Sequence, residues 1–223
     1  MKTIAIIPCF NEEKTIGRIV SELKKKRIDT IVVDDDSTDD TGRVAEENGA
    51  LVISHLENMG KGYSLKSAQE WLKEHKAKYD WIIIMDGDGQ YDTRDIPKFE
   101  KHFNDLDAGY LIGQRDWRTV PFRHALGNRL IDLVFLWAYG IPMDVCCGFI
   151  AIRKEIFEQL KPKEGYIVDV DMIAQKLKMR SRIATLGFRK IPVRVTYRKV
   201  RGIASGCRMV AGIVSWILWN GLE

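Results

Sequence analysis

The sequence predicts an α/β fold in which a mostly parallel β-sheet is covered by helices on both faces. Two observations support this. Short apolar runs alternate with segments whose apolar residues recur every three or four positions, a pattern typical of βαβ units. The length of 223 residues, with 45% hydrophobic and 30% charged residues, fits a folded single domain and not a disordered chain.

The first half of the chain contains five predicted strands. Each is an apolar run bounded by polar or turn-forming residues: Thr3–Ile7, Thr30–Val33, Leu51–Ser54, Trp81–Met85 and Ala108–Ile112. Helices are predicted between them, after Asn11, from Ser37–Thr41 to near Gly49, and after Gly60. The first of these helices has an apolar face made of Ile16, Ile19, Val20 and Leu23.

The second half is less regular. Helical periodicity predicts helices at Leu126–Tyr139, Arg153–Leu160, Asp169–Leu177 and Ile203–Trp219. Apolar runs predict strands at Gly148–Ile152 and Ile191–Tyr197. We interpret Leu130, Val134, Phe135, Trp137 and the segment Val214–Trp219 either as a surface for the membrane interface or as part of the core.

Composition excludes several classes of protein. No apolar stretch approaches the roughly 20 residues of a spanning helix, and the N-terminus lacks a signal-peptide pattern. The four cysteines show no CxxC spacing, so we predict no zinc site and reduced thiols in the cytosol. The four histidines show no ligand spacing, so we expect them to pack or to lie at the surface.

Charge is distributed unevenly along the chain. The net charge is only +4, which excludes a strongly basic nucleic-acid binder, yet the residues after Asp171 contain eleven Lys or Arg and one acid, Glu223. The tail therefore carries +10 and the residues before it −6. A basic tail fits binding to an anionic membrane, and a solvated basic face is the alternative.

Polar residues follow three of the predicted strands. Pro8–Glu12 follows the first, Asp34–Ser37 the second, and Asp86–Gln90 the most apolar one. Ligands bind beyond the carboxyl ends of strands in parallel sheets, so we expect these segments to converge.

Carboxylate and amide oxygens in Asp86-Gly87-Asp88-Gly89-Gln90 suit Mg²⁺ or Mn²⁺, and a solvated acidic turn is the alternative. Asp34–Ser37 fits a helix cap or a contact to a base or ribose.

The chain resembles family 2 glycosyltransferases, and within them the dolichyl-phosphate mannose synthase branch. The segments that carry the resemblance occur in the family's order: IIPCFNEEKTI, VVDDDSTDDT, NMGKGYSL, MDGDGQ, IGQR and CGFIAIRKEIFE. The resemblance implies a GT-A fold (a Rossmann-like nucleotide-diphospho-sugar transferase fold), a nucleotide-sugar donor and a divalent metal. It divides the domain into a nucleotide-sugar-binding half (1–113), an acceptor half (114–200) and an amphipathic interfacial segment (201–223).

The resemblance also implies roles for individual residues. Those expected to contact the nucleotide sugar are Pro8, Phe10, Glu12, Val33, Asp35, Asp86, Gly87, Asp88, Arg115 and Arg198. The expected metal ligands are Asp88 and Gln90, with Asp86 beside them. Arg115 matches the family's GxR arginine near the phosphates, and Arg123, or its rival Arg129, would hold the acceptor phosphate. Asp88, Arg115 and Arg123 are the predicted catalytic residues.

Three departures from the family pattern bear on these roles. Gly127 stands where the family often has serine, and Val145-Cys146 replaces a Thr-Gln pair after Asp144. The late basic segment from Arg198 to Gly206 has altered spacing and lacks the final lysine. Arg198, Lys199 and Arg201 thus remain alternatives for the donor contact.

The expected reaction is inverting transfer of a hexose, with GDP-mannose as favoured donor and polyprenyl (dolichyl) phosphate as acceptor. A phosphate acceptor is largely dianionic at neutral pH and needs no general base, and no base motif follows Asp144, although Asp144, Asp169 and Asp171 could each be argued as one. Such an enzyme would lie in the cytoplasm, peripheral on the membrane face. The alternatives are a UDP-sugar donor carrying glucose or N-acetylglucosamine, a soluble transferase with a small phosphorylated acceptor, or a sugar-nucleotide-binding module without activity.

Overall fold

Seven strands form one sheet whose order is β3-β2-β1-β4-β6-β5-β7. The computed structural model describes residues 1–118, 120–163, 167–179, 186–197 and 203–220, without the side chains of residues 123–124 and 203–208. The strands are β1 (Thr3–Cys9), β2 (Asp29–Asp34), β3 (Leu51–Ser54), β4 (Trp81–Ile84), β5 (Ala108–Arg115), β6 (Ile150–Arg153) and β7 (Gly187–Val193). All described pairings within the sheet are parallel except those of β6 with β4 and β5, so the predicted α/β fold with a mostly parallel sheet is confirmed.

Eight α-helices connect these strands in the described residues. They are α1 (Glu13–Lys25), α2 (Thr41–Glu47), α3 (Lys61–Glu74), α4 (Ile96–Glu100), α5 (Phe122–Tyr139), α6 (Lys154–Phe157), α7 (Val168–Lys178) and α8 (Ile203–Asn220), with a 3₁₀ turn at Thr93–Asp95 before α4. The predicted core face of α1 is buried as expected. On α5, the possible membrane contact Phe135 is instead a core residue, because its side chain is fully buried.

Strand β6 determines which loops reach the functional edge of the sheet. Because β6 runs antiparallel, its first residue, Ile150, pairs with the last residue of β4, Ile84. The loop that precedes β6 therefore meets the loops that follow β4 and β5. Strand β7 is parallel to β5 and ends beside Arg115, so residues 194–197 reach the same edge.

The last predicted strand is displaced. The apolar run suggested Ile191–Tyr197, whereas β7 spans Gly187–Val193 and only Val195 continues the pairing, as an isolated bridge to Tyr91.

The basic side chains here are engaged within the fold. Arg189 pairs with Asp105 at 2.7 Å, and Arg194 pairs with the fully buried Asp95 at 2.8 Å. Part of the basic tail thus stabilises the fold and is not a free surface.

Candidate active site

The acidic turn Asp86–Gln90 follows β4 at the carboxyl edge of the sheet. Asp88 Oδ1 accepts a hydrogen bond from the Gln90 backbone N–H at 2.9 Å, and Gly89 adopts a φ of +70°, which closes the turn. Thr15 on α1 donates its hydroxyl to the Gly87 carbonyl at 2.6 Å. The side chains of Asp86 and Asp88 remain partly exposed. The turn is thus held from behind and presents carboxylates to solvent.

The loops after β1 and β2 are joined by hydrogen bonds. Ser37 Oγ accepts from the Asn11 backbone N–H at 2.9 Å, and Asn11 Oδ1 accepts from the Thr38 N–H at 2.8 Å. Thr41 Oγ1 accepts from the Glu12 N–H at 2.7 Å. Asp34 Oδ1 accepts from the Ser37 N–H at 3.2 Å and closes a turn; because α2 begins only at Thr41, with Asp40 at its N-cap, Asp34 does not cap that helix. Phe10 is 45% exposed beside these loops.

Asp35 holds the loop that precedes α3. Its Oδ1 accepts from the Met59 N–H at 3.0 Å and contacts His55 Nδ1 at 2.7 Å, while its Oδ2 accepts from the Gly60 N–H at 2.6 Å. His55 Nε2 lies 2.9 Å from Ser67 Oγ. Sequence reasoning gave His55 no partner because its contacts come from residues 12 to 20 positions away.

Lys61, the first residue of α3, connects two acidic elements. Its Nζ lies 2.9 Å from Asp86 Oδ1 and 2.9 Å from Asp169 Oδ1 on α7. Burial alone would lower the pKa of Lys61, but the charges of Asp169 and Asp86 outweigh it and raise that pKa above its usual range. Burial raises the pKa of Asp169, although the Lys61 charge opposes this. Lys61 therefore stays cationic between two carboxyl groups.

Arg115, at the end of β5, forms a two-point ion pair with Asp144. Its Nε donates to Asp144 Oδ2 at 2.6 Å, its Nη2 donates to Asp144 Oδ1, and its Nη1 donates to Tyr197 Oη at 3.3 Å. Burial disfavours the charge, but the hydrogen bonds and charge of Asp144 hold the pKa of Arg115 above its usual range. A guanidinium has five N–H donors, so two remain for a ligand.

Trp117 links the end of β5 to the start of α5. The Arg115 guanidinium lies over its ring at 5.2 Å from the centroid, and the Arg129 guanidinium lies over it at 5.6 Å. One turn along α5 from Arg129, Asp132 Oδ1 accepts from the Val145 N–H at 3.0 Å. Burial, together with the Asp144 charge, raises the pKa of Asp132 to about 7. Sequence reasoning missed Trp117 and Asp132; the only signal for Trp117 was its position two residues after Arg115.

Close backbone approaches hold the site together. A Cβ on Gly148 would lie 2.3 Å from Asp86 Oδ2, and one on Gly87 would lie 2.3 Å from Cys9 Sγ. The Gly148 N–H donates to Tyr91 Oη at 2.8 Å, and the Thr196 N–H donates to the Gln90 carbonyl at 2.9 Å. Both glycines are therefore required where the loops around β6 meet the acidic turn.

The sheet brings the predicted residues to one edge, in two groups. The first lies at or just after the ends of β1, β2 and β4 and contains Pro8, Phe10, Glu12, Val33, Asp35, Asp86, Gly87, Asp88 and Gln90, of which Val33 is fully buried within β2. The second contains Arg115 and Arg129. The side chain of Arg123 lies outside the described residues, as do Arg198, Lys199 and Arg201.

The acidic turn fits a hard divalent cation. Asp86, Asp88 and Gln90 offer two carboxylates and an amide within one exposed turn, the oxygen chemistry that Mg²⁺ and Mn²⁺ prefer. Within the described part of the chain, no group of three or more His, Cys, Asp or Glu side chains is arranged to hold a metal. Mg²⁺ is commonly held by one or two carboxylates with substrate phosphates completing the shell, and the turn fits that arrangement.

Comparison with protein families shows which family this chain belongs to. A family model described as "Glycosyl transferase family 2" matches residues 4–161. The chain belongs to glycosyltransferase family 2. The match contains the acidic turn, Arg115, Asp144 and the loop before β6, so the residues gathered at the sheet edge belong to the glycosyltransferase domain.

Relatives of this family 2 glycosyltransferase include proteins that act on lipid phosphates. The chain is 33% identical to "Uncharacterized protein MJ0544" of Methanocaldococcus jannaschii, over 81% of this chain and 84% of that protein. It is 25% identical to the undecaprenyl-phosphate mannosyltransferase of Micrococcus luteus, over 100% and 98%. It is also 25% identical to the UDP-N-acetylglucosamine–dolichyl-phosphate N-acetylglucosaminyltransferase of Methanococcus voltae, over 93% and 90%.

Solved structures show the same fold. Glucosyl-3-phosphoglycerate synthase from Mycobacterium tuberculosis, in complex with Mn²⁺, UDP-glucose and phosphoglyceric acid, matches this family 2 glycosyltransferase with a TM-score of 0.78. The match covers 99% of this chain and 79% of that chain at 19% identity. The predicted GT-A fold is therefore confirmed. Among the described helices, none combines the length and apolar character that crossing a bilayer requires.

Proposed function

We propose that this protein transfers a hexose from a nucleotide sugar, with GDP-mannose favoured, to polyprenyl (dolichyl) phosphate in a metal-dependent, inverting reaction. An oxygen of the acceptor phosphate forms a bond to the anomeric carbon, and the bond from that carbon to the diphosphate breaks. The nucleoside diphosphate leaves with the electron pair. Because the acceptor is already anionic at neutral pH, no side chain has to remove a proton.

The acidic turn is assigned to the diphosphate side of the donor. Asp88 and Gln90, with Asp86 beside them, would hold a divalent cation, which supplies positive charge to the leaving diphosphate. Pro8, Phe10 and Glu12 would line the adjacent edge, where the exposed ring of Phe10 is available to a base, and the buried Val33 would support it from within β2. Asp35 would meet the ribose or base while it positions the Met59–Gly60 backbone.

One observation carries the assignment of a lipid-phosphate acceptor. Arg115 and Arg129 share the ring of Trp117 at the start of α5, and the outer face of that helix exposes a row of large apolar side chains. This row consists of Phe122, Leu126, Leu130, Leu133 and Trp137. Two cations beside an exposed apolar helix suit a phosphate attached to a long hydrocarbon chain. Arg123, on the same helix, is proposed to assist them.

The same row supports peripheral association with a membrane. Positions four, four, three and four residues apart lie on one side of a helix, and a soluble chain rarely exposes such a contiguous patch without a partner. We propose that α5 lies along the membrane interface. Its outer face would then meet the bilayer where the acceptor is embedded.

The sugar is proposed from the relatives. The Micrococcus luteus relative is named a mannosyltransferase, and the Methanococcus voltae relative is named for UDP-N-acetylglucosamine at similar identity. GDP-mannose is therefore the first donor to test, and UDP-N-acetylglucosamine and UDP-glucose are the alternatives.

The deciding experiment measures transfer from the three donors with Mg²⁺ or Mn²⁺. Each donor is incubated with polyprenyl phosphate, with 3-phosphoglycerate, or without acceptor, and both glycosylated product and released nucleotide are quantified. Transfer only with the lipid supports the proposal. Transfer only with the soluble acceptor, or binding of nucleotide without turnover, would contradict it. Asp88→Asn should abolish transfer, whereas Glu100→Gln, which removes an exposed carboxylate, should leave it intact.

Membrane association is tested separately by flotation with vesicles. Leu130→Glu together with Leu133→Glu should reduce flotation strongly. Leu56→Glu together with Leu106→Glu is the matched control, because these leucines are 99% and 83% exposed and lie outside α5. Equal flotation of the two double variants would show that α5 does not contact the membrane.

A further inference from the structure

A second cleft lies on the other side of α7 from the acidic turn. Asp169 contacts Lys61 at the candidate active site, whereas Asp171 lines this cleft of about 420 Å³. Residues two positions apart on a helix point in nearly opposite directions. Helix α7 therefore separates the cleft from the site where transfer is proposed.

Three lysines line the cleft, and each is held in place. Lys163 Nζ lies 5.4 Å from the centroid of the Trp216 ring. Lys178 Nζ donates to the Asn220 carbonyl at 2.7 Å. The backbone of Lys161 is clamped by Gln175, whose side chain accepts from its N–H and donates to its carbonyl, both at 2.8 Å.

The charge presented at the cleft is positive. Asp171 is only 2% exposed, accepts from Gln175 and pairs with Lys163 Nζ at 3.7 Å, whereas Lys161, Lys163 and Lys178 are exposed, so the lysines outnumber the one carboxylate. Tyr139 also lines the cleft, and its buried Oη has no hydrogen-bond partner in the part of the chain that the structure describes. A buried hydroxyl normally has a partner. An anion with several oxygens fits this combination of lysines and hydroxyl.

Tryptophans of α8 lie at and beside the cleft: Trp216 lines it, and Trp219, next to the cleft-lining Asn220, is 77% exposed. Helices α5 and α8 run side by side in the same direction, since Gly127 lies against Val210 while Tyr139 and Trp216 line the same cleft. Their C-terminal ends therefore lie together, and Trp137, two positions from Tyr139, points away from the cleft towards the exposed apolar row of α5. Tryptophan beside lysine is the combination that favours the boundary between headgroups and acyl chains.

We propose that this cleft binds the phosphate of an anionic phospholipid and orients the C-terminal ends of α5 and α8 on the bilayer. The inference rests on the proposed membrane association and extends it with a headgroup site that is separate from the acceptor site. The occupant is a lipid and not a free anion, because Trp216 beside Lys163 and the exposed Trp219 beside Asn220 offer contacts that only a hydrocarbon-bearing partner uses.

The test measures cosedimentation of the full chain with vesicles in the absence of donor and acceptor. Vesicles of phosphatidylcholine alone and with 30% phosphatidylserine are compared at low and high salt. Replacing Lys161, Lys163 and Lys178 by Gln should weaken binding to the anionic vesicles about fivefold for each lysine. Replacing the same lysines by Arg should retain binding, which separates loss of charge from loss of fold.

Replacement of Lys25, Lys66 and Lys73 by Gln is the matched control, because it removes the same charge from exposed positions on α1 and α3. An equal loss in both Gln variants, or no loss in the cleft variant, would overturn the proposal. So would displacement of the protein from vesicles by millimolar inorganic phosphate, which would assign the cleft to a soluble anion. No sugar donor is present in this binding assay, so its result does not depend on whether the proposed transfer reaction takes place.

Discussion

The Arg115 guanidinium and the Asp144 carboxylate form a two-point ion pair from which solvent is almost excluded. Asp144 is fully buried and Arg115 is 7% exposed. The pair joins the end of β5 to the loop before β6, and Tyr197 adds a contact from the chain that follows β7. It thus fixes three segments of the acceptor side relative to one another.

Removing one member of this pair should destabilise the fold. Asp144→Ala leaves a buried guanidinium without its counter-charge, for which we expect a loss of about 3–5 kcal/mol in the free energy of unfolding. Denaturation in urea measures it. The control is Arg94→Ala, which breaks an exposed ion pair with Asp92 and should cost less than about 1 kcal/mol. Similar losses in the two variants would contradict the importance of burial.

Lys61 should contribute most to the free energy of unfolding at pH values at which the carboxyl groups around it are ionised. Lys61→Met leaves Asp86 and Asp169 next to each other without a cation, and we expect about 3 kcal/mol of destabilisation at pH 8. The loss should shrink towards pH 5, because burial raises the pKa of Asp169 and, without the opposing Lys61 charge, this carboxyl group takes up a proton more readily as the pH falls. Unfolding measured at both pH values tests this. Lys66→Met, on the exposed face of the same helix, should change stability by less than about 0.5 kcal/mol at either pH.

Gly148 should tolerate no side chain. Gly148→Ala places a Cβ against Asp86 Oδ2, so the carboxylate has to move, and we expect donor turnover to fall while the free energy of unfolding drops by about 1–3 kcal/mol. Gly212 on α8 is the matched control, since nothing lies within 4 Å of a Cβ there. Gly212→Ala should stabilise the protein by about 0.5–1 kcal/mol. If Gly148→Ala left turnover at the wild-type level, the close approach would have no functional role.

Asp132 should make stability fall as pH rises. Its pKa is about 7 in the folded protein and about 4 in an unfolded chain. The folded state therefore binds the proton more tightly, and the free energy of unfolding declines between these two values as the pH increases. Asp132→Asn carries no charge and should gain roughly 2 kcal/mol over the wild type between pH 5 and pH 8. If the free energies of unfolding of Asp132→Asn and the wild type differed by the same amount at pH 5 and at pH 8, the raised pKa of Asp132 would be contradicted.

The fold was predictable because its first half repeats a local pattern. Each of β1 to β4 is an apolar run, and polar residues follow β1, β2 and β4, so convergence at one edge followed from parallel pairing alone. The boundaries of β7 were less predictable. Val193 is buried, but beyond it the backbone turns to the bridge with Tyr91, and the alternating apolar residues Val195 and Tyr197 continue the pattern without a strand.

The acidic turn was also predictable, but the contacts that tie it to the rest of the site were not. Lys61 lies 108 residues from Asp169, and Arg115 lies 29 residues from Asp144. Arg115 meets Asp144 because β6 inserts between β4 and β5 in the opposite direction, which apolar periodicity does not encode, and Lys61 meets Asp169 through the packing of α3 and α7 at the same site. The sequence motifs therefore located these charged residues one by one but not the pairs that they form.

The strand order has a consequence for the nascent chain. Strand β6 lies between β4 and β5 in the sheet but is made after both, and residues 85–149 separate the end of β4 from its start. At about 5–20 residues per second, a ribosome needs roughly 3–13 s to add that stretch. During that interval the apolar edge of β4 has no neighbour on one side, a condition that promotes aggregation. The interval between the emergence of β4 and of β6 is thus the stage of synthesis at which this chain depends most on protection by chaperones.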